Sequence, residues 1–373
     1  MPLKLMLVAG ARPNFMKVAP LLWEIQRRDN VDALLVHTGQ HYDEKMSQQF
    51  FTELNIPRPD ENLEVGSGSH AVQTAEVMKR FEPVLQSHKP DAVVVVGDVN
   101  STLACALTAV KLGVPVAHVE AGLRSFDRSM PEEVNRILTD AISTWLFVSE
   151  PSGAANLRAE NVPGERVHFA GNVMIDTLIA CTARIAQSTV LDRLAVKPRE
   201  YAVLTMHRPA NVDRPEVFAG LMRAIARLQR ELPFVFPVHP RTRQALGQGE
   251  ALPNLLFTEP LGYLDFMKLV GDARFVLTDS GGVQEETTYL GVPCLTMREN
   301  TERPVTVAQG TNRLVGLDPG KIVAEGLHAL AGCSARHVVP ELWDGQAARR
   351  ILDVLTPHVN RPAHEPVHSL DAR

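Results

Sequence analysis

Short apolar runs alternate with amphipathic segments along most of the chain. Runs such as KLMLVAG, VDALLVHTG and DAVVVVGD are almost continuously apolar, and the last is rich in β-branched residues, which predicts buried strands. Segments such as VAPLLWEIQRR and TLACALTAVKLG carry apolar residues at helical spacing. Continuous apolar strands that alternate with helices are typical of parallel sheets covered on both faces.

The strand–helix pattern restarts in the second half of the chain. A linker-like segment, LAVKPRE, precedes the predicted strand YAVLTMH, and later strands are predicted in FVFPVH, LLFTEP, FVLTDS and VPCLTM. We therefore predict an α/β fold with two doubly wound parallel-sheet domains, the first over residues 1–170 and the second over residues 171–344. The polar, proline-containing residues 362–373 are expected to form a flexible tail.

Composition and charge exclude several classes of protein. The net charge of −5 argues against nucleic acid as a partner. The apolar runs are shorter than the roughly 20 residues of a membrane span, and the N-terminus lacks the features of a signal peptide. The cysteines are widely spaced, without a CxxC pair or any other metal-ligand spacing, which favours reduced thiols; they are Cys105, Cys181, Cys294 and Cys333. We expect a cytoplasmic protein with neither a membrane partner nor a metal site.

The unusual polar residues of the chain follow its predicted strands. They occur in GARPNFMK, TGQHYD, GDVNS, EAGLRS, MHRPAN, HPRTR and DSGGVQEE. Because doubly wound sheets bind ligands beyond the carboxyl ends of their strands, two domains whose strand ends face each other would enclose one deep cleft.

The segment DSGGVQEE predicts a phosphate site. The turn Ser280–Gly282 leads from the strand FVLT into a helix that should start near Val283, and the free amides of a helix N-terminus bind anions. Glu286, one turn further on, could accept hydrogen bonds from ribose hydroxyls. A plain strand–turn–helix junction capped by Ser280 would have the same sequence.

Three cations favour the same interpretation. Arg12 and Lys17 flank the turn after the first strand, close to a helix start, where the helix dipole favours an anion between them. Arg303, in the polar segment RENTERP, offers a planar donor fork to ribose or phosphate. The alternatives are solvated surface cations and a solvated loop. The first turn lacks the G-x-G-x-x-G pattern, so a dinucleotide is not indicated.

Three carboxylates are candidates for proton transfer. Asp98 ends VVVVGD, Glu120 follows VPVAHV, and Glu132 lies in SMPEEVNRIL. A carboxylate at the end of a buried strand has few purely structural explanations, whereas Glu132 would also suit a helix N-terminus. If a helix begins near Pro131, Glu132 and Arg136 share one face and can pair. Carboxylates that converge on a cleft fit proton abstraction and return at carbon.

Histidines follow several of the strands. His207 follows the first strand of the second domain, where it could donate to a phosphate, carry a proton or be purely structural. His118 and His239 also lie at strand ends, and the sequence pattern does not separate the three.

In their order, these motifs resemble the non-hydrolysing UDP-N-acetylglucosamine 2-epimerase family. The resemblance covers about residues 4–355, through GARPNFMKVAP, HVEAGLRSFDRSMPEEVNR, GNVMIDTL, LTDSGGVQEE, MRENTERP and DGQAARRI. It implies a homodimer of chains with two Rossmann-like domains in the GT-B arrangement and a final helix, about residues 345–361, that returns to the first domain. It also implies inversion at C2 of the sugar by elimination of UDP, through a 2-acetamidoglucal, and re-addition, without a cofactor.

The resemblance assigns roles to individual residues through the matching motifs. It implies a UDP-sugar substrate and catalysis by Asp98, Glu120, Glu132, Arg136 and His207. For UDP binding it implies Arg12, Lys17, Phe266, Ser280, Gly281, Gly282, Glu286 and Arg303.

The sequence departs from part of this family at one place and leaves alternatives open. Relatives activated by a second UDP-sugar carry Gln-His-Arg-Glu and His-Arg-Arg-Glu stretches, where this chain has QHYDEKM and HRPANVD, which argues against such activation. The alternatives are an epimerase of a related UDP-acetamido sugar such as a diacetamido uronate, a hydrolysing 2-epimerase, a GT-B glycosyltransferase and a silent UDP-sugar sensor.

Overall fold

The first half of the chain builds one parallel sheet. The structure, a computed structural model, describes residues 2–39, 51–238, 242–243, 246, 252–332 and 337–359. The strands of the first sheet are β1 (Leu3–Ala9), β2 (Val31–His37), β3 (Glu61–Asn62), β4 (Ala92–Val96), β5 (Val116–Val119), β6 (Trp145–Val148) and β7 (Val167–Phe169). They are all parallel and lie in the order β3-β2-β1-β4-β5-β6-β7.

The second half builds another parallel sheet. Its strands are β8 (Ala202–Thr205), β9 (Phe234–Pro237), β10 (Leu255–Thr258), β11 (Val276–Thr278), β12 (Cys294–Thr296) and β13 (Asn312–Leu314). They lie in the order β10-β9-β8-β11-β12-β13. The strand order reverses between β1 and β4 in the first sheet and between β8 and β11 in the second, and such points open a crevice at the carboxyl ends of the strands. The predicted fold of two doubly wound parallel sheets is confirmed.

Helices cover both faces of the two sheets. Those of the first half are α1 (Arg12–Ile25), α2 (His70–His88), α3 (Asn100–Lys111), α4 (Pro131–Ile142) and α5 (Pro151–Ala159). Two more, α6 (Val173–Ala186) and α7 (Val190–Arg193), lie between the sheets in the sequence. Those of the second half are α8 (Pro209–Val212), α9 (Pro215–Leu228), α10 (Tyr263–Gly271), α11 (Gly281–Leu290), α12 (Pro304–Ala308), α13 (Pro319–Leu330) and α14 (Ala347–Val359).

The central strands of the first sheet are buried on both faces, as their continuous apolar runs predicted. Leu5 and Val94 point into a core shared with α1 and α14, whereas Met6 and Val93 point into the core under α2 and α3. All five residues of β4 are buried. This strand therefore ends deep inside the molecule, and the residues that follow it start at the floor of a cleft.

The chain passes between the two halves twice. Helix α6 contacts α1 of the first half and α10 and α11 of the second, and the last helix, α14, contacts α1 and α6. Arg28 Nη2 lies 2.7 Å from Asp353 Oδ1, and Asp176 accepts a hydrogen bond of 2.8 Å from the amide of Ala348. Helix α14 is thus fixed to the first half of the molecule.

Some elements differ from the sequence expectations. Helix α11 begins at Gly281, two residues before the expected start near Val283. Helix α4 agrees with the expectation, because Pro131 is its first residue. Strands β3, β7 and β13 have two or three residues each, too few to show a periodic pattern. None of the helices in the described part of the chain is long and apolar enough to cross a lipid bilayer.

Candidate functional site

A buried cluster of opposite charges lies at the carboxyl ends of β4 and β5. Lys17, on α1, places its Nζ 2.6 Å from Oε2 of Glu120, which follows β5. Arg136, on α4, forms an ion pair with Asp98, which follows β4, and its Nη2 lies 3.9 Å from Glu120 Oε1. The structure therefore brings together four of the predicted site residues, and Lys17 is buried rather than solvated.

The backbone at this edge adopts two left-handed turns. Gly97 has a φ of +69°, and a Cβ atom there would lie 2.9 Å from Lys17 Nζ, so glycine makes room for the ammonium group. Glu120 has a φ of +73°, which is uncommon for a residue with a side chain and costs roughly 1–3 kcal/mol. The packing around Glu120 offsets this strain and holds its carboxylate toward the cations.

The charges around Glu120 control its protonation. Burial by itself would raise the pKa of Glu120, but the charges of Lys17, Arg303 and Arg136 outweigh it and hold the pKa at about 2. Glu120 is therefore a carboxylate at neutral pH. It can accept a proton in this state and cannot supply one.

Arg303 connects the two halves of the site. It lies just before α12 in the second half, and its Nη2 donates to Glu120 Oε1 of the first half at 3.0 Å. Its Nε lies 3.0 Å from Glu285 Oε1, and its Nη1 lies 3.6 Å from Glu302 Oε2. Burial lowers the pKa of Arg303, but Glu285 and Glu120 outweigh it and raise the pKa further above its ordinary value. The loop alternative is wrong for this residue, because Arg303 is buried among carboxylates.

The N-terminus of α11 lies against this guanidinium. A Cβ atom at Gly281 would lie 2.8 Å from Arg303 Nη1, and one at Gly282 would lie 3.1 Å from Met174 Cε. Ser280 occupies the N-cap position, but its side chain makes no capping hydrogen bond. The glycines therefore let a cation approach the helix start, and an anion at these amides would also be within reach of Arg303.

Asp279 orients the residues that follow β8. Its Oδ1 lies 2.9 Å from Nδ1 of His207, and its Oδ2 accepts from the amides of His207 and Arg208 at 2.9 and 2.8 Å. Burial would raise the pKa of Asp279, but His207 and these amides outweigh it and lower the pKa. The imidazole of His207 is thus fixed by an ionised carboxylate beside the start of α11.

Three further carboxyl groups are buried near Arg303 or α11. Burial, together with the neighbouring Glu285, raises the pKa of Glu286 to about 8. Burial also raises the pKa of Glu285, although Arg303 opposes it. Glu150, which follows β6 and is fully buried, has a pKa raised to about 7 by burial and by Glu285. Glu286 and Glu150 can therefore hold a proton near neutral pH, in contrast to Glu120.

Other predicted residues lie elsewhere or differ in their contacts. Glu132 is half-buried on the first turn of α4, and its charge acts on Arg208 of the second half. The expected pair between Glu132 and Arg136 is not among the ion pairs of the described residues, because Arg136 pairs with Asp98 instead. Phe266 packs against the main apolar core. Arg12 begins α1, but its side chain lies outside the described part of the structure, as do His41, His239 and Cys333.

Sequence reasoning did not assign roles to Glu150, Glu285 and Asp279. Asp279 and Glu285 lie inside the recognised DSGGVQEE segment, and their roles follow only from His207 and Arg303, which are distant from them in the sequence. Glu150 had a usable signal, because it lies two residues after the buried strand WLFV, as Asp98 lies two residues after β4. Applying the strand-end rule to β6 would have found it.

Comparison with known proteins gives one consistent family. Residues 23–356 match the family described as UDP-N-acetylglucosamine 2-epimerase. A UDP-N-acetylglucosamine 2-epimerase of Methanococcus maripaludis is 40% identical over 365 residues, covering 94% of this chain and 98% of that relative. The UDP-2,3-diacetamido-2,3-dideoxy-D-glucuronate 2-epimerase of Pseudomonas aeruginosa is 38% identical over 356 residues, covering 95% of this chain and 99% of the relative.

A solved structure agrees with these sequence relatives. The crystal structure of the Methanocaldococcus jannaschii UDP-GlcNAc 2-epimerase in complex with UDP-GlcNAc and UDP superimposes with a TM-score of 0.90 at 39% identity, and the match covers 95% of this chain and all of that one. The two Rossmann-like sheets thus have the GT-B arrangement implied by the sequence resemblance. With its buried carboxylates and cations at the facing strand ends, the chain belongs to the UDP-N-acetylglucosamine 2-epimerase family, a family of carbohydrate isomerases.

Proposed function

We propose that the protein interconverts UDP-N-acetylglucosamine and UDP-N-acetylmannosamine. One observation carries the proposal: Arg303 joins an ionised carboxylate, Glu120, to the glycine start of α11, Gly281. A base and an anion site thus lie on two sides of one guanidinium, as a reaction needs when it removes a proton from carbon and expels a diphosphate. The archaeal epimerase of similar fold was crystallised in complex with UDP-GlcNAc and UDP, which supports the same substrate for this chain.

The proposed reaction balances without an external reagent. A carboxylate removes the proton from C2, the C2–H electrons form the C1=C2 double bond, and the C1–O electrons leave with UDP. The resulting 2-acetamidoglucal takes a proton on the opposite face of C2 while UDP re-forms its bond to C1. UDP is both leaving group and returning nucleophile, so the reaction involves no net oxidation and needs no cofactor.

The chain's own residues divide this work. We assign the protons at C2 to Asp98, Glu120 and Glu132, and the ionised state of Glu120 suits it to accept one. The amides of residues 280–282 and the guanidinium of Arg303 would stabilise the charge that develops on the departing diphosphate. Of the remaining predicted residues, His207 would assist the diphosphate, Arg136 would hold Asp98, and UDP would also contact Arg12, Lys17, Phe266 and Glu286.

The experiment that tests the proposal follows deuterium at C2. The protein is incubated with UDP-N-acetylglucosamine in D2O, and proton NMR should show loss of the C2 proton signal and growth of the manno UDP-sugar. Free N-acetylmannosamine formed at the rate of turnover would support a hydrolysing enzyme instead. Absence of exchange at C2 with every UDP-acetamido sugar would refute the epimerase proposal and leave a glycosyltransferase or a sensor.

The sugar substituents need a parallel test. A relative named for a diacetamido glucuronate is 38% identical to this chain, close to the 40% of a relative named for UDP-N-acetylglucosamine. The same NMR assay with the diacetamido uronate substrate should show slower exchange than with UDP-N-acetylglucosamine. Faster exchange on the uronate would move the assignment to the second substrate.

We also propose a homodimer and a cytoplasmic location. Helices α2, α3 and α4 cover the same face of the first sheet and expose apolar side chains, which include Val72, Val110, Val134 and Leu138. Apolar side chains exposed on neighbouring helices favour a protein interface on this face. Light scattering should give twice the mass of one chain, and Leu138→Glu should reduce it. A monomer in the wild type would refute the dimer.

The cysteines support the cytoplasmic location. Cys105, Cys181 and Cys294 are buried free thiols, in keeping with a reducing compartment.

A further inference from the structure

His118 lies on β5, two residues before Glu120, and is completely buried. Its Nε2 is 2.7 Å from the backbone oxygen of Gly97, and its Nδ1 is 2.7 Å from Oδ1 of Asp140 on α4. A carbonyl oxygen can only accept a hydrogen bond. The Nε2 atom therefore carries a proton.

Asp140 holds the other ring nitrogen. Its Oδ2 accepts from the amide of Gly122 at 3.0 Å and lies 2.7 Å from Nη1 of Arg124. Burial would raise the pKa of Asp140, but His118 and Arg124 outweigh it and lower the pKa. Its Oδ1 lies 2.7 Å from Nδ1 of His118. Both ring nitrogens are therefore held, and the ring cannot turn without breaking a buried contact.

The acceptor of the Nε2 proton belongs to the turn that presents Asp98. Gly97 adopts a left-handed φ of +69° directly before Asp98. Asn135 donates from Nδ2 to the backbone oxygen of Asp98 at 3.0 Å, and Arg136 pairs with the Asp98 carboxylate. His118 holds the preceding carbonyl, that of Gly97, from the neighbouring parallel strand β5. The turn is thus fixed at two successive carbonyl groups and at the side chain.

Helix α4 restrains this turn both directly and through His118. Asn135 and Arg136 act on Asp98 directly, whereas Asp140 acts through His118. Arg136 and Asp140 are four residues apart, so they lie on the same face of the helix. Charged groups on several elements surround this arrangement. They are Lys17 on α1, Asp98 after β4, Glu120 and Arg124 after β5, Arg136 and Asp140 on α4, and Glu160 after α5.

We propose that His118 is a positioning residue for the epimerase reaction, a proposal that rests on the function assigned above. Its Nε2–H group donates to the carbonyl of Gly97 and so fixes the direction in which the Asp98 carboxylate points. It does not touch the substrate. Packing alone does not account for this residue, because a phenyl ring would fill the same space and leave the Gly97 oxygen and Asp140 without these hydrogen bonds.

The first test reads the ring directly and is independent of activity. Nitrogen NMR of the full-length protein labelled with ¹⁵N-histidine should show that Nε2 of His118 carries a proton, with the signals assigned by their loss in His118→Gln. An unprotonated Nε2 would overturn the proposal. Because this result does not depend on turnover, it separates failure of the proposal from failure of the proposed function.

The second test separates positioning from a structural role. His118→Phe removes both ring nitrogens, and His118→Gln keeps one donor that can reach the Gly97 oxygen. A displacement of the carboxylate by about 1 Å should lower kcat by roughly 100-fold. We expect this loss in the phenylalanine variant, a smaller loss in the glutamine variant, and unchanged KM and UDP affinity in both. His88→Gln, at a half-buried histidine paired with Glu61, is the matched control and should keep wild-type kcat.

The outcomes decide between the two roles. A fall in kcat with unchanged KM, partly rescued by glutamine, supports positioning of Asp98. Wild-type kcat in either variant would overturn it. A fall in kcat of the glutamine variant that comes with a rise in KM and a loss of UDP affinity would also overturn it. If the phenylalanine variant does not fold, the glutamine variant and the nitrogen spectrum still decide.

Discussion

Glu150 offers a prediction that tests the electrostatics of the cleft without touching the substrate. It is fully buried after β6, its Oε1 accepts from Ser152 Oγ, and its Oε2 has no hydrogen-bond partner among the described residues. Burial and the neighbouring Glu285 raise its pKa from 4.5 to about 7. The substitution Glu150→Gln keeps the shape of the side chain and removes its titration.

The size of the effect follows from the pKa shift. The folded state keeps the proton of Glu150 up to about pH 7, whereas the unfolded chain loses it above about pH 4.5. The stabilisation by the protonated carboxyl is therefore complete below pH 4.5 and is lost as the pH rises through 7. A shift of 2.5 units at 1.36 kcal/mol per unit corresponds to about 3 kcal/mol. The glutamine variant should escape this loss.

The assay is urea unfolding of the wild type and of Glu150→Gln at pH 5 and pH 8.5. At pH 5 the two free energies of unfolding should be close, and at pH 8.5 the variant should be more stable by up to about 3 kcal/mol, with the same dependence on denaturant. Glu165→Gln, at an exposed glutamate in the 3-10 turn before β7, is the matched control and should follow the wild type at both pH values.

One result would refute the reasoning. If the stabilities of the wild type and of Glu150→Gln change in parallel between pH 5 and pH 8.5, Glu150 does not bind a proton more tightly in the folded state. The carboxyl group would then be ionised in the cleft, and Arg303 would have to compensate its charge as well as that of Glu285.

Three further predictions concern the charge cluster. Lys17→Met removes the cation 2.6 Å from Glu120, so the pKa of Glu120 should rise by roughly one to three units. The acidic limb of the kcat–pH profile should therefore move to higher pH. A limb that does not move would contradict Glu120 as the base. Asp98→Asn should abolish deuterium exchange at C2 while calorimetry shows retained UDP binding, and normal turnover would remove Asp98 from the mechanism. Gly97→Ala places a methyl group 2.9 Å from Lys17 Nζ at a φ of +69°, which should lower stability by about 1–2 kcal/mol in thermal unfolding and reduce kcat; a wild-type melting temperature would show that the turn relaxes.

Much of the fold could be predicted because its strands are buried on both faces. The run AVVVV has no polar position, so it indicates a central parallel strand and places Asp98 at the carboxyl edge of the sheet. The same reasoning placed Glu120 after β5. The short strand β13 escaped prediction, because three residues that pair with β12 carry too little pattern of their own.

The partners within the site could not be predicted from local sequence. Arg303 meets Glu120 across 183 positions, and Arg136 meets Asp98 across 38. Helical spacing favoured Glu132 as the partner of Arg136, but Asp98, at the end of β4, provides the carboxylate with which Arg136 pairs. Which of several charges pair depends on how two sheets face each other, and that is a property of tertiary packing.

Helix α14 has a consequence for the exchange of parts between relatives. It is the last helix of the described residues, yet Asp353 pairs with Arg28 and the amide of Ala348 donates to Asp176. A chimera that takes the first half from one epimerase and everything after it from another would set a foreign helix against α1. Recombination should therefore use two crossover points, so that residues 347–359 are inherited together with the first half. The position of these residues in the sequence gives no sign that they must be exchanged with the first half; their contacts in the folded protein do.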